Sequence, residues 1–295
     1  TPSIDGNIGS NNDIKIDSTT KVVSGTAYQP KPYQYYNVYW TANYNALPPF
    51  KIANPAGTLD VASLIHAMPV YTATGSALSA AGGTYGPGSY YYNGTLTPSG
   101  SITTSGNAVI YVNGNIKLDL TDKIIGDNLT VYSTGNIELA NNSSIQATNL
   151  QLYAKGNISF TNNASINGET ITIQTTNTSS SSVNYNSASS INRNSATAVT
   201  KIYSNGGIQF TNSFTLGGIA LVVGNGIEMN SIINASSTIL VSASTAQITN
   251  GSKIAGIYTN GKLNINSSPT IAPKGDTLVQ GLGLGGTTSV TFGDW

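Results

Sequence analysis

Cysteine is absent from this chain, histidine and arginine each occur once (His66, Arg193), and only 8% of the 295 residues carry charge. Without cysteine there is no disulfide framework and no thiol chemistry. One histidine and no cysteine leave no His/Cys set with which to hold a transition metal. Twelve basic residues balance twelve acidic ones, so there is no basic excess to neutralise phosphates and nucleic acid is not expected as a partner. No run of 18 apolar residues occurs, so no membrane segment is expected in this chain; a leader or anchor is expected to be cleaved or to lie outside it.

What the chain has in quantity is Asn, Ser, Thr, 32 Gly and 17 Tyr, and these residues repeat. Tyr111-Val112-Asn113-Gly114-Asn115-Ile116, Tyr132-Ser133-Thr134-Gly135-Asn136-Ile137 and Tyr153-Ala154-Lys155-Gly156-Asn157-Ile158 share the pattern Tyr-x-x-Gly-Asn-Ile at a spacing of 21 residues. That period, carried by β-branched residues and Gly/Asn turns, predicts stacked coils of strand. The Ile116 column extends through Ile137, Ile158, Ile208, Ile227, Ile248 and Leu263, and back to Leu96. A second apolar column runs through Ile124, Ile145, Ile166, Leu216 and Ile271, with Ile233 and Ile254 two residues early. A tyrosine column joins Tyr91, Tyr111, Tyr132, Tyr153, Tyr203 and Tyr258, and pairs such as Leu129/Val131 alternate with period two, turning one strand face inward.

The expected fold is therefore all-β: a single parallel β-helix (β-solenoid) with three short strands per coil of about 21 residues. Residues 3–25 form a first coil, because Asp13-Ile14-Lys15-Ile16-Asp17 parallels Asn115-Ile116-Lys117-Leu118-Asp119. A Tyr/Pro-rich excursion follows over 26–88, with a short helix at 59–68 stopped by Pro69. The main solenoid spans 89–274, interrupted by a Ser/Asn-rich loop insertion at 176–197, and 275–295 form a C-terminal cap or tail.

Tyr85-Gly86-Pro87-Gly88-Ser89-Tyr90-Tyr91-Tyr92 running into Leu96, then Asn107 to Ile116, resembles the β-helical C-terminal domain of PilX-type pilus-assembly, minor pilin-like surface proteins. Leu47-Pro48-Pro49-Phe50 in the excursion and the run Gly281 to Gly286 leading to Trp295 fit the same resemblance. It implies a cell-surface structural or adhesive role without catalytic residues. The pilin-type hydrophobic N-terminal helix is missing from this segment.

Candidate chemistry is sparse. Lyases and glycosidases built on β-helices need clustered carboxylates, whereas register places Glu138 over Lys117, and Glu228 after Gln209 in the same outward column. Asp119, Asp122 and Asp127 gather at a turn, where turn chemistry explains them as well as weak cation binding does. His66 reads as structural, Arg193 as a solvated loop residue. The Gly281–Gly286 run lacks the helix start that would hold a pyrophosphate. No catalytic residue, cofactor or metal is expected. Tyr33, Tyr35, Tyr36, Tyr39 and Trp40 of the excursion, with Tyr111, Tyr132 and Tyr153 of the ladder, either cover one another or form an aromatic contact surface for sugars or a neighbouring subunit. Asn-x-Ser/Thr triplets at Asn93, Asn128, Asn142, Asn163, Asn177 and Asn234 are candidate glycosylation acceptors.

The expected function is that of a non-enzymatic extracellular structural or adhesive protein, associated with a pilus or filament at the cell surface. Its partners would be other copies of itself or filament subunits, and surface glycans. The alternative is a glycan-binding or glycan-cleaving β-helix resembling a tailspike or polysaccharide lyase.

Overall fold

Each coil contributes three strands that pair in parallel with their equivalents one coil away. The computed structural model describes residues 61–231, 233–267 and 269–271, with the backbone of six N-terminal strands (Ser3–Asp5, Ile8–Ser10, Ile14–Ile16, Lys21–Ser24, Thr26–Tyr28 and Lys51–Ala53). Of the sequence-based expectations, those on Tyr33, Tyr35, Tyr36, Tyr39, Trp40 and the 275–295 tail lie outside the described residues. In the coil starting at Asn107 the strands are Asn107–Asn113, Ile116–Leu118 and the first part of Lys123–Ser133, which bends directly into the next coil. The second strands stack into a nine-stranded sheet, and the longest ladder continues from Ser76–Ala77 at one end to Lys51–Ala53 at the other, so at about 4.8 Å per rung the rod stands roughly 58 Å tall.

Why Tyr-x-x-Gly-Asn-Ile recurs is visible at one corner. The Ile points inward and is fully buried at positions 116, 137 and 158. The Asn115 side-chain oxygen accepts the Asn136 N–H at 2.8 Å, and Asn136 accepts that of Asn157 in the same way. Glycine precedes each Asn because the space is taken: a Cβ on Gly156 would lie 2.1 Å from Asn136 Oδ1, and one on Gly135 2.2 Å from Asn115 Oδ1. The next corner is turned by paired left-handed residues, Asn141 and Asn142, then Asn162 and Asn163, a conformation that asparagine tolerates.

A buried hydroxyl column accompanies the Gly-Asn corner and escaped sequence reasoning. Ser133, Thr175, Ser204, Ser242 and Thr259 are fully buried. Their hydroxyls accept the N–H two residues on, from Gly135, Asn177, Gly206, Ser244 and Gly261 respectively. Ser133 and Thr175 also donate to the Gly114 and Gly156 carbonyls of the preceding coil. The signal was present, a Ser or Thr directly after the tyrosine-column residue, but serine is too common here to stand out.

The interior columns hold as expected, with corrections. Ile248 stacks between Met229 and Ile265, continuing the Leu118 column, and Ala246 takes its expected place between Ile227 and Leu263. Ile254 pairs with Ile271, and Ala235 rather than Ile233 precedes it; the ladder between Asn234–Ser242 and Lys253–Thr259 then shifts register between Ala235 and Ile239, which brings the column back into line. The loop insertion at 176–197 contains strand structure: Val183–Tyr185 pairs with Ile158–Phe160 and Ile208–Phe210, and Ser190–Ile191 with Ser165–Ile166 and Thr215–Leu216. Lengthened turns around these strands masked a coil. Its Tyr185 is fully buried between Phe160 and Phe210, with centroids 4.7 and 5.1 Å away and rings nearly parallel.

The 26–88 excursion is likewise smaller than expected. Thr26–Tyr28 and Lys51–Ala53 pair with each other, and Thr26–Tyr28 also with Ile8–Ser10. Ser76–Ala77 and Gly83–Tyr85 belong to the main sheet. The helix is a single turn, α1 (Val61–Leu64), after which the chain is drawn along the rod before reaching Pro69. Tyr85, Tyr90 and Tyr92 pack against the core at this end of the rod, Tyr90 and Tyr92 in register with the inward Ile110 and Val112. The Tyr-Gly-Pro-Gly-Ser-Tyr-Tyr-Tyr motif thus closes an end of the apolar interior.

Gly156→Ala is expected to destabilise by about 1–3 kcal/mol through overpacking, lowering the urea midpoint. Gly256→Ala, whose added methyl meets no atom within 4 Å, should stay within about 0.5 kcal/mol.

Candidate functional site

The tyrosine column gathers aromatic side chains on the outer face of the coils. Register aligns Tyr91, Tyr111, Tyr132, Tyr153, Gln174, Tyr203, Val223, Val241 and Tyr258 on one outward line. Tyr111 and Tyr132 stack with centroids 5.5 Å apart and planes 9° from parallel. Such a line would be an exposed aromatic stripe, yet Tyr132, Tyr153, Tyr203 and Tyr258 are buried.

Residues 61–75 bury them as a strap. Val61, with Leu64 and Ile65 of the same segment, packs on Tyr203, Leu221, Val223, Ile239, Val241 and Tyr258. The Gln174 side chain donates to the His66 carbonyl at 2.6 Å, and the His66 ring meets Tyr203 edge-on at 6.2 Å. Tyr71 then covers Tyr132 and Tyr153, with centroids 5.4 and 6.2 Å away. Ser76 and Ala77 finally pair with Tyr90 and Tyr91. The strap runs against the coil order, from Tyr258 toward Tyr91. Burial lifts the phenols of Tyr132, Tyr153 and Tyr203 above their ordinary value.

The ionisable residues are spread out. Lys117 and Glu138 are register partners, as are Gln209 and Glu228, whose side chains bond at 3.3 Å. At the Asp-rich turn each carboxylate accepts bonds from the protein: Asp119 from Asn141 Nδ2 and the Leu120 N–H, Asp122 from the Asp119 N–H, Asp127 from the Gly106 N–H. The Asn141 amide foremost, then the Leu120 N–H, hold the Asp119 carboxyl below its ordinary value. Among the described residues no three His, Cys, Asp or Glu side chains gather as a metal set, and no helix is long and apolar enough to cross a membrane. Arg193 donates to the Ala188 carbonyl at 2.6 Å and is exposed.

A shallow cleft opens on the same strand face as the tyrosines. Its walls include Asn107, Asn128, Asn149, Thr130, Gln151 and Gly88. Asn128 donates to Asn107 at 2.9 Å, Asn149 to Asn128 at 2.6 Å, and Thr130 to Gln151 at 3.2 Å. Of the candidate acceptors, Asn128 is tied into this ladder, and Asn177 accepts the Ser179 N–H. Asn142 and Asn163 lie exposed at equivalent corners, and Asn93 and Asn234 are exposed on strands.

A family model described as a domain of unknown function (DUF7305) matches residues 54–214, more than half of the chain. The chain belongs to this family. The DUF7305 match takes in the strap, the aromatic end and the coils up to Phe214, so the strap lies within the region matched by the family model. No curated protein and no solved structure gives a significant match.

Tyr71→Ala should return the Tyr132 and Tyr153 ionisations toward the ordinary phenol value in an ultraviolet alkaline titration. The sign follows from their raised pKa: burial contributes stability that is complete below the ordinary tyrosine pKa and is lost as pH climbs through the raised one. Unchanged phenol titration in this variant would show that Tyr71 does not shield the ladder.

Proposed function

We propose that this DUF7305 chain is a non-enzymatic structural or adhesive protein of the cell exterior, a pilus- or filament-associated β-solenoid that presents polar ladders on a stiff rod. The observation that carries the reading is the dispersal of its carboxylates. Glu138 and Glu228 share one outward column four rungs apart, roughly 19 Å at the strand spacing, much farther than the ~5–10 Å separating the acid pair of a glycosidase. The three turn aspartates are already occupied by Asn141 and by backbone N–H groups. An exterior rich in carboxamides and hydroxyls that bond from coil to coil suits a lasting surface more than turnover. The resemblance to PilX-type surface proteins supports the same location.

The second reading, a glycan-binding β-helix, is favoured by the cleft alone. There Asn107, Asn128 and Asn149 repeat one amide per rung, a neutral donor and acceptor array that suits a sugar chain.

Immunogold labelling of intact producing cells is expected to decorate external filaments or the cell surface. Incubating the purified protein with soluble polysaccharides should release no new reducing ends. Sustained release that survives Asp119→Asn and is abolished by Glu138→Gln or Glu228→Gln would replace the structural reading with an enzymatic one.

A further inference from the structure

The N-terminal strands are stacked out of sequence order. Ser3 and Ile4 pair with Thr270 and Ile271, Gly9 and Ser10 with Tyr258 and Thr259, and Ile14–Ile16 with Leu263–Ile265. From one end of the rod to the other the strands therefore run 76 to 271 and then 3 to 53. The chain must return the whole length of the rod between Ala53 and Ser76. That return is the strap, and its described part is held by side-chain packing and the Gln174 bond to His66, with ladder pairing beginning at Ser76. Most of its middle is exposed, Val70 at 87%.

We propose that the N-terminal unit, residues 3–53, also seats on the last coil of a second copy, joining rods end to end; this rests on the filament reading above. Three observations favour a second copy as the occupant. First, the interface already exists within the chain, and its in-register columns, Leu263 to Ile14 and Ile271 to Ile4, use the same backbone pairing whichever copy supplies the strand. Exchange of an identical element between protomers reuses that junction unchanged. Second, the exchange restores sequence order. Along a joined rod the strands would read 256–271 of one copy, 3–53 of the next, then 76 onward of that same copy, and no return is required. Third, residues 54–75 supply 22 residues, a reach of roughly 70 Å at ~3.3 Å each. That length spans the rod within one copy and is ample for a junction between two. Releasing the described strap costs the packing of Val61, Leu64, Ile65 and Tyr71 and breaks no bond of the sheet ladder. The contact is heterologous and head-to-tail, the kind that builds open fibres.

The absence of cysteine makes the test clean. Lys15 and Asn264 are register partners in the second-strand sheet, and neighbouring strands at about 4.8 Å fall within the Cα separation that a disulfide accepts. Two differently tagged full-length copies, one carrying Lys15→Cys and the other Asn264→Cys, are co-expressed and oxidised, beside a chain carrying both substitutions. A disulfide between the two tagged copies, identified by peptide mapping, is expected, with a ladder of dimers and longer species from the double variant. A double variant that closes as a monomer at every concentration, with no bridge between the singly substituted copies, overturns the proposal. Absence of any bridge in either preparation overturns it too, because the register on which it stands would be wrong. Filaments in the electron microscope without a cross-copy bridge would leave the filament reading standing and sink the exchange. Bridged closed dimers without filaments would do the opposite.

Discussion

Vertical registration governs this molecule. In a parallel solenoid the nearest neighbour of a side chain is the residue one coil away, so an identical residue in each coil produces a ladder and an odd one produces a defect. Every other feature inherits this constraint. The isoleucine columns make a dry interior, the Gly-Asn corner interlocks because one coil's amide occupies the space left by the next coil's missing Cβ, and the Ser/Thr column satisfies backbone groups that a sharp corner would otherwise strand. Aromatic rings obey it as well, stacking Phe160, Tyr185 and Phe210 inside the rod and Tyr111 on Tyr132 outside.

Registration also creates a problem at each end, where a coil has no successor and its strand edge invites pairing. The two ends are treated differently. At one, Tyr85, Tyr90 and Tyr92 close the apolar interior, with the Tyr90 hydroxyl donating to the Gly86 carbonyl at 2.8 Å. At the other, the N-terminal strands extend the sheets beyond Ile271. The strap is the consequence of that second solution, and covering the tyrosine column is what the strap does on its way. Topology and side-chain burial are thus one fact: the chain has to return, and the aromatic line is where it does so.

The same architecture bears on function by setting distances. A residue repeated in one column is held at a multiple of the rung spacing, so an active site on such a rod requires its acids in adjacent rungs or adjacent columns. Here Ser159, Asn184 and Gln209 separate Glu138 from Glu228 in their outward column. Polar groups converge instead along the neutral amide cleft on the tyrosine face, whose groups can hold a polar chain by hydrogen bonds.

Much of this was legible in the sequence because registration is periodic and periodicity survives without coordinates. The Tyr-x-x-Gly-Asn-Ile spacing determined the fold class, the inward columns, the pairing of Lys117 with Glu138 and the alignment of the tyrosines. Turn length was the weak point: the lengthened turns around Val183 and Ser190 broke the spacing and hid a coil containing the buried Tyr185. Contacts between distant segments left no periodic trace at all. That Tyr71 covers Tyr132 and Tyr153, that Gln174 reaches the His66 carbonyl, and that the strand at Ile14 pairs with the one at Leu263 are decided by the tertiary structure, because each depends on where the chain travels between coils and a repeat records only what happens within them.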